Sequence, residues 1–488
     1  MKKLNGNLQK QIEYFKQQFN ENSDFLVREF KVDDTQACCM FSNGISDLEL
    51  IGKSVLEPLI GAKNLPKSKV INYIDQNVLF FPDSQILSEV DMLIEGIAKG
   101  KAVVMLEGQK DALLLGVDSY EERSIIEPPT SAVLKGPRRG FVENYKTNLS
   151  LLKQILATEH LKTINIKVGE ISNTDVVIVY LDNVCDKKLP LEIEKKIREI
   201  KIDGIIDSYY IGQFLEEKPY SIFKQIGNSE KPDVVCAKLL EGRVAILVNG
   251  SPIVLTLPFI LLEDIQSPDD YYSNSKRATI VRLIRIVSIF ITLMLPGMYI
   301  AVQLYHYKII PLTFIITIVN TTLGLPLSPF AETLFVLILF EILYEASIRM
   351  PKYLGIALSI VGALILGDTA VSAGVISPPA VMIVALSGIT LYTIPDQAPQ
   401  FIVLRLLFTI MGGLLGFYGI IGLMVYIVFY LNDMDSFGSP YLAPFSPLIK
   451  QDFQDATTKL DIVDLKNRPK SIKNINKRRM THGNKTTK

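Results

Sequence analysis

From Leu283 to Leu431 the chain is almost continuously apolar, and this stretch constrains the fold more than any other feature. A helix that spans a bilayer needs ~20 mostly apolar residues. The stretch divides into six segments that approach or exceed that length: Leu283–Tyr305, Ile309–Leu325, Phe330–Ser347, Leu354–Val371, Ile376–Ile394 and Phe401–Leu431. Residues before about 270 have the mixed charge of a water-exposed protein. The expected fold is therefore an α/β N-terminal cytoplasmic region of two lobes followed by an α-helical polytopic membrane domain. The division it predicts is an N-terminal polar helix at 1–21, α/β lobes at 22–128 and 129–270, a helical membrane domain at 271–431 and a cytoplasmic basic tail at 432–488.

Several function classes are excluded early. Lys+Arg and Asp+Glu both number 51, a balance that points to no nucleic-acid partner. Cys38, Cys39, Cys185 and Cys236 lack CxxC spacing and read as buried thiols in a reducing compartment. His160, His306 and His482 form no metal pair, so no cofactor or metal is expected. Gly52-Lys53-Ser54 resembles the end of a phosphate-binding loop, but Asp47 stands where that loop needs a glycine. Helix-start chemistry is the blander reading. No nucleophile–base arrangement is legible, and the chain is not expected to be an enzyme. Its opening, MKKLNGNLQKQIEYF, is polar where a signal peptide would be apolar.

Local patterns outline the lobes. Ile12, Phe15 and Phe19 share one side of a first helix. Ile86, Val90, Leu93 and Ile97 recur at helical spacing over 84–98. AVVMLEGQKDALLLGV reads as strand, turn and strand, and Pro128–Pro129 as a break. In the second lobe TINIKVGEISNTDVVIVYL gives two strands, EIEKKIREI a helix, and DVVCAKLLEG a helix stopped by Gly242. Two more strands join at Asn249-Gly250, a favoured two-residue hairpin turn.

Lys276, Arg277, Arg282 and Arg285 stand at the entrance of the first apolar segment and place its start in the cytoplasm. The basic, Asn-rich end after Leu448 is expected to be a disordered cytoplasmic tail, which requires an even number of crossings. Pro311, Gly324, Pro326 and Pro329 interrupt the second segment, and Pro378, Pro379 and Pro395 bracket the fifth. Four full crossings plus two re-entrant or broken segments, Ile309–Leu325 and Ile376–Ile394, are the first reading. That arrangement puts Arg349 and Lys352 inside, whereas six crossings put them outside.

Ionisable groups within apolar helices are costly and mark function. Glu341, Glu345 and Arg349 step by four along one helix. They form either a polar wall on an ion path or an intrahelical ion-pair ladder. Glu332 faces the other way, and Arg405 either snorkels or finds an acidic partner. Gly412, Gly413, Gly416, Gly419 and Gly422 provide a small-residue face for close packing, with a hinge as the alternative. Lys135, Arg138, Arg139 and Phe141 read as a lobe or subunit contact.

A set of ordered strings adds to this. KGPRRGFVENYKTNLSLLKQI, SEKPD, LLEGRVAILVNGSPIVLTLP, SPDDYY, LPGMYIAV, EILYEASIRMPKYLG and SFGSPYLAP together resemble the A subunit of GerA-type spore germinant receptors. GPRRGF has Arg where the family pattern has an acid, and SEKPD replaces TERPD. The resemblance implies a multi-pass protein of the spore inner membrane, with both termini cytoplasmic. It implies work with a transporter-like receptor B subunit and a lipoprotein C subunit, and assembly as a homo-oligomeric ring in membrane lipid that conducts cations when nutrient binds. A dipicolinate-operon-type spore membrane channel paralogue is the alternative within the family. A secondary transporter and a scaffold are alternatives outside it, although no internal repeat of the transporter kind is visible.

Overall fold

The computed structural model describes residues 3–19, 22, 24–63, 65–66, 70–117, 135–351, 362 and 365–480. Pro128–Pro129, Lys352, His482 and most of Leu354–Val371 lie outside the described residues.

Short runs of β-branched and large apolar residues make two antiparallel five-stranded sheets. The first contains β1 (Phe25–Val32), β2 (Thr35–Ser42), β3 (Ser84–Leu87), β4 (Ala102–Leu106) and β5 (Ala112–Leu115), in the order β1-β2-β4-β5-β3. The second contains β6 (Leu161–Val168), β7 (Thr174–Leu181), β8 (Gly227–Ser229), β9 (Val244–Val248) and β10 (Val254–Leu257), in the order β6-β7-β9-β10-β8. The spatial order is the same in both, so one topology occurs twice.

Helices cover both faces of each sheet, which is why β4 and β9 are apolar throughout instead of alternating. On the first sheet, α1 (Leu8–Gln18) buries Leu8, Ile12 and Phe15 against Met40 and Met105. α2 (Val70–Asn77) and helical turns over 48–61 cover the opposite face, and α3 (Val90–Ala98) packs beside α1. On the second sheet, α4 (Tyr145–Ile155) and α7 (Pro232–Glu241) share one face. α5 (Lys188–Arg198) and α6 (Ser208–Leu215) share the other. A buried ion pair joins the lobes: Lys153 Nζ lies 3.1 Å from Asp24 Oδ2 and donates to Ser42 Oγ at 3.0 Å. Burial pulls the Lys153 ammonium below its ordinary pKa, against the opposing pull of Asp24.

Two local expectations change. Residues 84–98 are not one helix, because Ile86 pairs with Leu113 on the edge strand β3 and only Val90–Ala98 is helical. A four-residue strand is too short to show its alternation against a following helix. Gly250 does take a positive φ of 94°, but residues 249–253 all separate β9 from β10, so the turn is wider than two residues. Gly242 caps α7 in the left-handed region, as its position predicts.

The C-terminal half is a helical bundle of α8 (Ser275–Leu304), α9 (Leu312–Thr322), α10 (Pro329–Arg349), α11 (Pro378–Leu391) and α12 (Ala398–Asn432). Among the described residues two stretches are long and apolar enough to cross a membrane, α8 and Pro395–Asn432. The second is not one rod. Gly416 has φ 60° and ψ −144°, a conformation that suits glycine alone, and the chain doubles back there. A Cβ on Gly419 would lie 2.5 Å from the Met411 carbonyl oxygen, and Phe401 and Leu431 meet in one core with Phe259. Both ends of α12 therefore lie at the lobe end of the bundle.

Side-chain contacts orient the other helices. α8 leaves the lobes and runs beside 398–415, with Gly297 against Phe408 and Gly412 and Tyr305 Oη donating to the Gly413 carbonyl at 2.9 Å. α10 returns, with Phe330 against Gly413 at the far end and Glu341 on Arg405 nearer the lobes. α11 also returns, since Ser377 meets Glu332 at the far end and Leu391 joins the Phe223–Phe259 cluster. Among the described residues the bundle has five legs: α8, α10, α11 and the two arms of α12 on either side of Gly416. α9 spans ~16 Å at 1.5 Å per residue, and both its neighbours meet it from the far end.

Arg349 lies at the lobe end of α10, and the described helix of Ile376–Ile394, α11, runs from the far end toward the lobes. Phe401–Leu431, expected as one segment, contributes two legs that reverse at Gly416. The tail is also corrected: residues 433–480 are not disordered but pack on the second lobe. Arg468 donates to the Leu240 carbonyl at 2.6 Å, Arg479 pairs with Glu241 at 3.0 Å, and Cys185 bridges to Asn474. Its polar residues bind lobe carbonyls and carboxylates, so an apolar pattern was never needed to order it.

Candidate functional site

The acidic stripe of α10 opens onto a groove of about 650 Å³ between α10 and α12. Glu341, Glu345 and Arg349 line one wall, with Ile402, Val403 and Leu406 opposite. Helical spacing of four sets the three charges on one side. Glu345 pairs with Arg349 at 2.7 Å, and both side chains are exposed. Glu341 instead pairs across the bundle with Arg405, which is only 2% exposed. Arg405 Nη1 also donates to Ser387 Oγ on α11 at 3.1 Å. One guanidinium therefore ties three helices together. The ladder reading describes Glu345–Arg349, whereas Glu341 is a tertiary partner. Arg405 does not snorkel, because a carboxylate reaches it inside the bundle.

Glu332 is 1% exposed and accepts the backbone N–H of Ser377 at the start of α11. A carboxylate is stabilised there by the helix dipole and a free N–H. It does not line the Glu341 groove. Gly412, Gly413 and Gly419 serve close packing, Gly416 the reversal, while Gly422 has open space around its α-carbon.

A second charged centre joins lobe, bundle and tail. Arg282, 0% exposed, holds Asp270 at 2.9 Å and Asp455 at 3.1 Å, and Arg285 holds Asp270 at 2.8 Å. Lys276 and Arg277 stay exposed, so only part of that basic entrance is solvated. Lys224 pairs with Asp264 at 3.1 Å, and Gln397, just before α12, donates to Asp264 at 2.6 Å. Arg243 and Lys238 clasp Glu263. Burial alone would raise the Glu263 carboxyl, but these two cations overrule it and hold it at about 2. Sequence reasoning missed Asp270, Asp455, Asp264 and Glu263. The SPDDYY string marked the place, but nothing local announced its partners.

The remaining candidates have structural places. Phe141 is buried beneath α4 and α7, the Lys135 backbone donates to Asp269 at 3.3 Å, and Arg139 reaches Gln154 at 3.3 Å. Arg138 is exposed. The segment is a contact within the second lobe and its junction. Asp47 caps the helical turns ahead of Lys53, which pairs with Glu49 at 2.6 Å. Among the described residues no group of His, Cys, Asp and Glu is arranged to hold a metal.

Comparison with known proteins now bears on this architecture. Residues 13–471 match the family model described as Bacillus/Clostridium GerA spore germination protein. Spore germination protein KA of Bacillus subtilis (strain 168) is 33% identical over 474 residues, covering 96% of this chain and 87% of that protein. The uncharacterized membrane protein YfkQ of the same strain is 36% identical over 382 residues, covering 78% of this chain and 74% of that one. The crystal structure of the N-terminal domain of the A subunit of the Bacillus megaterium spore germinant receptor GerK3 is 25% identical, with a TM-score of 0.41, and covers 52% of this chain and 96% of that one. The chain belongs to the GerA family of spore germination proteins.

Proposed function

We propose that this chain is the A subunit of a nutrient germinant receptor in the spore inner membrane. In this reading its helical half crosses the bilayer an even number of times, with the lobes and the tail in the cytoplasm. Copies assemble as a ring that conducts cations, alongside a transporter-like B subunit and a lipoprotein C subunit. Family membership supports the role in germination. The common lobe end of α8 and α12 supports the even crossing number.

The observation that carries the conducting role is the open groove lined by Glu341 and Glu345. Carboxylates facing an aqueous path attract cations and disfavour anions. Lipid is a poor occupant for that groove, because an exposed carboxylate in hydrocarbon is strongly unfavourable. A neighbouring protomer or water suits it. Arg405 holds Glu341 in a closed arrangement, and nutrient bound elsewhere would favour a state in which that hold is released.

Reconstitution with and without the B and C partners tests the proposal through conductance measured before and after nutrient addition. Nutrient-dependent cation current is expected only with all three. Glu345→Gln, which leaves the Arg405 pair intact, should reduce the preference for cations over anions. Unaltered selectivity in that variant removes the groove from the ion path.

A further inference from the structure

We infer that the second lobe rests on the lipid surface through the loop after α6, with Tyr220 inserted at the headgroup level. This rests on the reading that α12 spans a bilayer.

The loop abuts the lobe end of α12. Lys218 Nζ lies 5.1 Å from the Tyr430 ring centroid and 2.7 Å from Asp433, and the Phe223 and Tyr430 rings are 5.9 Å apart. Tyr430 and Tyr426 stand one helical turn apart on one face. Tyr426 is 65% exposed, so this face looks away from the bundle, toward lipid. Tyrosines at the end of an apolar helix mark the membrane–water boundary.

Tyr220 lies two residues from Lys218 and three from Phe223, within about 7–11 Å of backbone from groups that touch Tyr430. It is 100% exposed, and Ile222 beside it is also exposed. Tyr210 and Phe214, one turn apart on α6, continue the exposed patch toward the loop. An aromatic ring with a polar tip is suited to a headgroup layer, where its body is shielded and its hydroxyl stays wet. Glu216 and Glu217 share the loop, so the contact works by insertion and not by attraction to anionic lipid.

The chain has no tryptophan, so single substitutions give unique fluorescent reporters. The full chain, reconstituted in vesicles with and without lipids brominated near the top of the acyl chains, carries Tyr220→Trp, Tyr426→Trp or Phe80→Trp. Phe80, 84% exposed on the first lobe, is the water-facing control. Bromine quenching of the 220 and 426 reporters, with the 80 reporter unquenched, is the expected result, unchanged by high salt. Quenching at 426 but not at 220 overturns lobe docking while leaving the spanning helix intact. A blue-shifted 220 emission without quenching overturns it in favour of a protein neighbour on this patch. Absence of quenching at both positions overturns the spanning helix and the docking together, and equal quenching at 80 removes the specificity claimed for the loop.

Discussion

Glu341 and Arg405 should be asymmetric in what their loss costs, and the asymmetry follows from their burial. The Arg405 side chain is 2% exposed, against 26% for Glu341. Removing one partner of a buried ion pair costs about 3–5 kcal/mol, because the other charge is left uncompensated. Glu341→Gln strands a fully enclosed guanidinium whose remaining partner is Ser387 Oγ, so it belongs near the upper end. Arg405→Gln strands a carboxylate that still reaches the open groove, so it belongs near the lower end. A bundle of this size shifts its melting temperature by about 2–4 °C per kcal/mol, which places the two losses roughly between 6 and 20 °C. Thermal unfolding of the detergent-solubilised variants measures both. Replacing both residues together, as Glu341→Gln with Arg405→Gln, should cost less than the sum of the single losses, since neither charge is then stranded. Additive losses, or a larger loss from Arg405→Gln than from Glu341→Gln, would refute the argument from burial.

Two further outcomes follow from close packing and from charge. A Cβ on Gly412 would lie 2.4 Å from the Gly297 carbonyl oxygen, backbone against backbone, so Gly412→Ala should destabilise by about 1–3 kcal/mol. Gly422→Ala, with nothing within 4 Å, should be neutral or gain up to about 1 kcal/mol of helix propensity, and equal melting temperatures for the two variants would contradict the packing. Glu263, held at about 2 when folded against an ordinary 4.5, gives stability that is fully present above pH 4.5 and is lost as pH falls toward 2. At most about 3 kcal/mol is involved, and Glu263→Gln should flatten that acid limb of a stability–pH curve measured by chemical unfolding.

Much of the architecture was legible from local chemistry. The apolar stretch gave the helical half, and the paired strands of AVVMLEGQKDALLLGV and TINIKVGEISNTDVVIVYL appear as β4–β5 and β6–β7. The stripe Glu341–Glu345–Arg349 was visible because a helix turns every 3.6 residues. Its division into one local pair and one tertiary pair was not, because Arg405 lies 64 positions away from Glu341. The tail was misread because composition reports the lack of an apolar pattern, and these residues are ordered by hydrogen bonds and ion pairs with the lobe.

The sequence by itself determined that two α/β lobes precede an apolar helical half, and that a few charges must be sheltered within it. Those conclusions depend on period and composition, which are properties of neighbouring residues. Only the tertiary structure decided that α12 reverses at Gly416, that Arg405 closes on Glu341, and that one sheet topology is used twice. Each depends on which distant segments meet. A glycine reads the same in a hinge and in a packing face, until its φ and its neighbours are known.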